Sequence, residues 1–246
     1  MMGSLLRWET RQTLTSKSFW IIGASLVVFP ALLLAISLYY GGFDSGYEGF
    51  LEGLNNYNAF VIFLIGVFAG IHVTGAFEGR KIQAAIMAGN SRLKILMAKF
   101  LSFAGSVTLF SVAGITVSSL VAFKMLGING LDGSFARVII GRSLVFIVTE
   151  VAYASVCFLA SMFIRHLGGS IGLNLGLMLM LNVTVQILMN FKWSEIFLKF
   201  IPAAQVMYVV ADFSNKNIVM ALVSSALALT AAAGVSYLKF AREELK

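Results

Sequence analysis

Long stretches without a charged side chain dominate the hydrophobic pattern of this chain. Five of them are longer than 20 residues, enough for a helix to cross a hydrocarbon layer of about 30 Å. They are residues 18–43, 53–77, 100–123, 166–191 and 217–238. A sixth stretch, residues 138–164, has the same length but contains Arg142 and Glu150. We therefore predict an all-α polytopic membrane protein whose six transmembrane helices form one domain over residues 1–246.

Composition agrees with this pattern. The chain has 246 residues, of which 59% are hydrophobic and 12% charged. About a quarter of the residues of a soluble chain are charged, so a soluble fold is excluded. Cys157 is the single cysteine, which excludes an intrachain disulfide framework and a cysteine-rich metal site.

The positive charges predict the orientation of the spans. Six spans place both termini on the same side of the membrane. Twelve Lys and Arg residues then lie on the side of the termini and six on the other side, and the chain has a net charge of +7. The rule that cytoplasmic loops are positive then places both termini in the cytoplasm. The first outer loop agrees, since residues 41–58 contain Asp44, Glu48 and Glu52 but no cation. The basic charge therefore reflects topology, and we expect no nucleic-acid partner.

Residues 1–17 are predicted to form an interfacial helix before the first span. Leu5, Leu6 and Trp8 share one helical arc, with Arg7 and Arg11 opposite, as expected of a helix lying in the membrane interface. The alternative is a positive leader without further role. The first apolar stretch is too long for a cleaved signal peptide, which favours a retained signal anchor.

The loop between spans two and three, residues 78–92, is longer than a connection between neighbouring helices needs. Ile82 and Ile86 lie in its apolar middle, so we predict a short helix over residues 80–88. Gly89 and Asn90 tolerate the left-handed conformation that ends a helix, and Ser91 is placed to cap the next one. A short helix held outside the bilayer by two spans would offer a surface to a partner; a basic loop that only fixes orientation is the alternative.

This loop resembles that of the membrane subunits of type 2 ATP-binding cassette (ABC) exporters, which share an ABCG-like fold. In that family an acidic residue, a coupling helix, a small-x-Ser-Arg turn and a Lys follow span two. Here Glu78, the helix over 80–88, the turn over 89–92 and Lys99 match, while Asn90 replaces a common proline. Gln83-Ala84 also replaces a common Gly-Thr. The resemblance implies ATPase-coupling roles for Glu78, Arg80, Ile82, Ile86, Gly89, Asn90, Ser91 and Arg92.

The resemblance also implies partners and cargo. Separate ABC ATPase subunits would hold ATP and Mg, and a second permease copy or a paralogue would complete the transporter in the lipid bilayer of a bacterial cytoplasmic membrane. The expected cargo is small and amphipathic, with antimicrobial peptides and lantibiotic immunity as the leading case.

Residues 192–213 are predicted to form a re-entrant segment on the outer side, between spans five and six. Trp193, Phe197 and Phe200 share one helical face, and Pro202 ends that helix. Neither this piece nor the next, residues 203–210, is long enough to span a bilayer. The resemblance implies two short re-entrant helices here; an interfacial aromatic anchor is the alternative.

Span five combines small and polar residues. Gly168, Gly172 and Gly176 recur every four residues, a spacing that lets helix backbones approach closely. The resemblance implies that spans two and five line the central cavity and the dimer seam. Asn174, Asn182 and Gln186 are then candidate substrate-path residues, and interhelical hydrogen bonding within one subunit is the alternative.

Glu150 is a fourth substrate-path candidate, because a carboxylate near the centre of a span must face protein or water. Its possible roles are a structural hydrogen bond, a protonated carboxyl group or a contact for a cationic substrate. An ion- or proton-coupled secondary carrier that uses Glu150 is therefore the alternative function. A structural or assembly protein is a third possibility.

Catalytic and metal-binding patterns are missing from the sequence. No Gly-Lys dipeptide occurs, so the chain has no Walker A loop for nucleotide binding. No H-E-x-x-H motif occurs, and His72 and His166 lie on different segments. We expect no enzyme activity, no metal site and no cofactor in this chain.

Overall fold

The computed structural model describes residues 2–79, 81–127 and 133–242, and the regular structure there is helical throughout. In chain order the helices are α1 (Met2–Thr15), α2 (Lys17–Tyr40), α3 (Gly46–Ala69), α4 (Gly75–Glu78), α5 (Lys81–Met87), α6 (Arg92–Leu126), α7 (Gly133–Ser161), α8 (Leu167–Leu188), α9 (Glu195–Leu198), α10 (Pro202–Ala211) and α11 (Asn215–Ala241). A π-helical turn, Gly70–Thr74, joins α3 to α4, and a 3-10 turn, Lys192–Ser194, precedes α9.

Six helical segments are long and apolar enough to cross a membrane, which confirms the predicted multi-pass character. Span one is α2, span two runs from α3 through α4, span three is α6, span four is α7 from Ala136, span five is α8 and span six is α11. Span two begins at Gly46, seven residues before the predicted stretch. Ser45 explains the early start, since its hydroxyl accepts a hydrogen bond from the Glu48 N–H at 3.3 Å.

Spans two and four form the centre of the bundle. The second span packs against α2, α6 and α8, and α7 packs against α11, α10 and α6. α3 and α6 approach each other closely at Gly114, where a Cβ atom would lie 2.3 Å from the Tyr57 ring. A side chain at position 114 would therefore push these two spans apart.

The segment between spans five and six is bent. Its two parts, Lys192–Leu198 and Pro202–Ala211, are bent by 110° relative to each other. The sequence predicts one helix up to Pro202, but the structure ends α9 at Leu198 and places Pro202 in the first turn of α10. Gln205 explains the break, because its side-chain amide donates to the Leu198 and Lys199 carbonyls at 3.2 Å each. We call residues 192–211 the bent segment.

Candidate functional site

The loop between spans two and three contains a short helix, α5, which spans seven residues from Lys81 to Met87. Gly89 follows it with φ +82°, and the Asn90 side-chain amide donates to the Ala85 carbonyl at 3.1 Å. These two residues therefore end the helix as a left-handed glycine cap does. Ser91 is the N-cap residue of α6 but makes no side-chain cap hydrogen bond. Arg80, a predicted coupling residue, lies outside the described residues.

One side of α5 is held by the protein and the other is exposed. Ile82 is 3% exposed and Ile86 is partly buried against the hydrophobic core. Met87, in contrast, is 82% exposed, and Ala84 and Ala88 are exposed as well. An apolar surface of α5 is thus left uncovered by the described part of the chain.

The charged residues at the two ends of the loop bind the ends of distant helices. The Glu78 carboxylate accepts a hydrogen bond from the Leu167 N–H at 2.7 Å, at the start of α8. The Arg92 guanidinium donates to the Phe240 and Ala241 carbonyls at 2.9 Å each, at the end of α11. A carboxylate at a helix N-terminus and a guanidinium at a helix C-terminus both match the sign of the helix dipole. The loop is thereby connected to spans five and six.

Lys99 joins three elements at the same end of the bundle. Its ammonium group lies 3.1 Å from a Glu9 carboxylate oxygen, and both side chains are almost fully buried. The same ammonium donates to the His72 carbonyl at 3.3 Å, inside the π-helical turn of span two. Thr13 and Ser102 add a second contact between α1 and α6, at 3.1 Å. The sequence pointed to Lys99 only through the resemblance, and Glu9 was missed. Glu9 could have been noticed because it is the only carboxylate among the basic residues before span one.

At the opposite end of the bundle Arg142 binds the bent segment. Its guanidinium donates to the Val210 carbonyl at 3.0 Å, near the C-terminus of α10. It also lies 5.5 Å from the Tyr47 ring centre and 5.1 Å from that of Phe213. Arg142 is 4% exposed, so these contacts form away from water. The sequence identified Arg142 only as a charged residue within the sixth apolar stretch.

The predicted substrate-path residues of span five do not converge on one site. Asn174 is fully buried and donates to the Gly66 carbonyl at 3.1 Å and the Ser161 hydroxyl at 2.8 Å. Asn182 and Gln186 instead bond to each other at 2.8 Å, and Gln186 is exposed. Asn174 thus makes interhelical hydrogen bonds within the subunit, while Gln186 lies on the outside of the bundle.

Glu150 is fully buried in span four. Neither of its carboxylate oxygens has a hydrogen-bond partner in the part of the chain that the structure describes. A structural hydrogen bond, one of its three predicted roles, therefore has no partner there. Among the same residues no group of three His, Cys, Asp or Glu side chains is arranged to hold a metal ion.

No protein-family model matches the chain. No curated protein matches it either. The functional argument therefore depends on the residues and contacts described above.

Proposed function

We propose that this chain is the membrane subunit of an ATP-driven ABC exporter in a bacterial cytoplasmic membrane, with both termini in the cytoplasm. It would work as a dimer, or with a paralogous permease, on two ATPase subunits that hold ATP and Mg. In this proposal α1 is the interfacial helix, α5 the coupling helix and the bent segment the outer re-entrant pair. The observation that carries the proposal is the exposed apolar surface of α5 around Met87.

The contacts of the loop suggest how motion would pass from the ATPases to the membrane. A push on α5 would reach span five through the contact between Glu78 and Leu167, and span six through the contacts of Arg92. Within span two it would first meet the π-helical turn Gly70–Thr74, a local irregularity of a kind often found at functional sites. ATP binding would thereby favour an outward-facing arrangement, as a shift between existing conformations.

The proposed cargo is a small amphipathic molecule, with antimicrobial peptides as the leading class. Its path would run between two copies of the chain, along the exposed face of α8. Asn182 and Gln186 would offer amide groups to cargo at that face, close to the end of span five. The apolar residues around them suit the hydrophobic part of such a molecule.

Met87 allows a direct test of ATPase coupling. We expect Met87→Glu to reduce recovery of the ABC ATPase encoded by the neighbouring gene about tenfold, because it places a charge in an apolar contact. Met125→Glu is the matched control, since Met125 is 45% exposed at the other end of span three. Co-purification and cargo-stimulated ATP hydrolysis are the measurements. Equal recovery with both variants, or the lack of any neighbouring ATPase gene, would refute the proposal.

The buried, unpartnered carboxylate of Glu150 favours a second candidate function, an ion- or proton-coupled carrier. Such a carrier would transport cargo in proteoliposomes that contain this chain and no ATPase, driven by a proton or sodium gradient. Glu150→Gln should abolish that transport, whereas Glu195→Gln, at an exposed carboxylate of the bent segment, should preserve it. Transport that requires the ATPase and survives Glu150→Gln would reject the carrier.

A further inference from the structure

A cavity of about 390 Å³ lies where α1, the start of α2, the π-helical turn and α6 meet. Its volume falls within the range of about 300–1,000 Å³ that is usual for small-molecule sites. Phe19, Phe68 and Ile71 form its apolar wall. Polar side chains from α1, α2, α5, α6 and the π-helical turn, together with Gly75 and Ala76 of α4, form the rest. Because it is bordered by the first residues of span one and the last of span two, it lies at one membrane boundary.

The charges around this cavity leave it positive. Its charged side chains are Glu9, Lys81 and Lys99, with His72 as a further titratable group. Glu9 and Lys99 compensate each other at 3.1 Å. The positive charge of Lys81, which is exposed, has no such compensation among the residues that line the cavity.

Several residues that line the cavity have polar side chains without a hydrogen-bond partner among the described residues. The side chains of Gln12, Ser16, Ser18 and Lys81 line the cavity and make no hydrogen bond within the described part of the chain. Ser16 is also the N-cap residue of α2, and its hydroxyl makes no cap bond, so among the described residues no side chain caps the first N–H groups of that 24-residue helix. The hydroxyls of Thr13 and Thr15, in contrast, already donate to backbone carbonyls.

We propose that this cavity binds a phosphate ester group. The phosphate oxygens would accept hydrogen bonds from Gln12, Ser16, Ser18 and the Lys81 ammonium, and their charge would complement the positive cavity. The apolar wall would receive the glycerol or alkyl part of the ester. The group can come from an anionic lipid of the adjoining leaflet or from a soluble organic phosphate. The proposal stands on the cavity alone and does not require an ATPase partner.

Two variants remove the site in different ways. Gly75 lines the cavity with helical backbone, and a Cβ atom there would meet nothing within 4 Å, so Gly75→Leu fills the cavity without removing a charge. Lys81→Glu reverses the uncompensated charge and changes an exposed side chain, so the variant should fold. Gly234→Leu and Lys94→Glu are the matched controls, since both positions are exposed and neither lines the cavity.

Thermal unfolding of the purified chain in detergent tests the proposal. The probes are dihexanoyl phosphatidylglycerol, dihexanoyl phosphatidylcholine and inorganic phosphate, and each is titrated to obtain an affinity from the rise in the unfolding midpoint. We expect phosphatidylglycerol to raise the midpoint of the wild type and both controls. It should bind about tenfold more weakly to Gly75→Leu and Lys81→Glu.

The probes also separate the two sources of the phosphate. A response to phosphatidylglycerol that exceeds the responses to phosphatidylcholine and inorganic phosphate assigns the site to an anionic lipid. A response to inorganic phosphate that matches or exceeds the lipid response, and that both site variants lose, assigns it to a soluble phosphate ester. No response from the wild type, or equal affinity in Lys81→Glu and Lys94→Glu, overturns the proposal.

Discussion

At the scale of single residues, Lys99 is a buried charge that joins α6 to α1 and to the π-helical turn of span two. Transfer of an ammonium group out of water costs several kcal/mol unless a counter-charge and further acceptors compensate it. Glu9 supplies the counter-charge at 3.1 Å and the His72 carbonyl supplies a further acceptor. The pair is therefore stable only while both charges are present.

We expect Lys99→Met to lower the free energy of unfolding by about 3–5 kcal/mol, because it leaves the Glu9 carboxylate buried without a partner. The double variant Glu9→Leu with Lys99→Met removes both charges and should recover most of that loss. Denaturant or thermal unfolding in detergent measures both values. A double variant as unstable as the sum of the single ones would contradict the interpretation of a mutually compensating pair.

At the scale of helices, the sequence predicts the elements whose cause is local. The six spans follow from uncharged stretches, and α5 follows from the spacing of Ile82 and Ile86 with Gly89 behind them. The π-helical turn and the break in the bent segment have other causes. That break depends on Gln205, whose side-chain amide donates to the Leu198 carbonyl seven residues earlier. The spacing of hydrophobic residues in the sequence cannot predict such a contact.

The bent segment depends on Arg142. We expect Arg142→Ala to loosen α10 by about 1.5–3 kcal/mol, since it removes a charge-assisted hydrogen bond to Val210 and two ring contacts. Hydrogen exchange of the α10 amides should rise in this variant. Arg137→Ala changes an exposed arginine of the same helix and should leave that exchange unchanged. An equal rise in hydrogen exchange in both variants would show that the contacts of Arg142 do not specifically stabilise α10.

At the scale of the whole molecule, the contacts that assemble the candidate site join distant parts of the chain. Glu78 and Leu167 are 89 positions apart, Lys99 and Glu9 are 90 apart, and Arg92 and Phe240 are 148 apart. The sequence singles out Glu78 and Arg92 by their place in the loop. It does not reveal their partners, because a single sequence records no pairing between helices. For the same reason Asn174 and Gln186 look alike in sequence but lie in different surroundings.

Span five has one face that residues 2–79, 81–127 and 133–242 leave uncovered. Spans five and six are the least buried of the six spans. Ser170, Asn174, Met178 and Val185 form the buried side, whereas Gly172, Gly176 and Gln186 are exposed on the other. At 100° per residue the exposed residues lie within a single arc. Glycines and an amide on that arc suit a close helix contact better than contact with lipid tails.

The uncovered face of α8 provides the test of the proposed dimer. A Cβ atom at Gly172 meets nothing within 4 Å in the subunit, so Gly172→Leu should leave the monomer folded. The larger side chain would separate two helices in close contact, and we expect the dimer to weaken at least about tenfold. Gly234→Leu places the same side chain on an exposed position of α11 and is the control. Energy transfer between labelled subunits in liposomes measures the association. If Gly172→Leu associates as tightly as Gly234→Leu, the second copy does not bind along this face, and the path between two α8 helices must be abandoned.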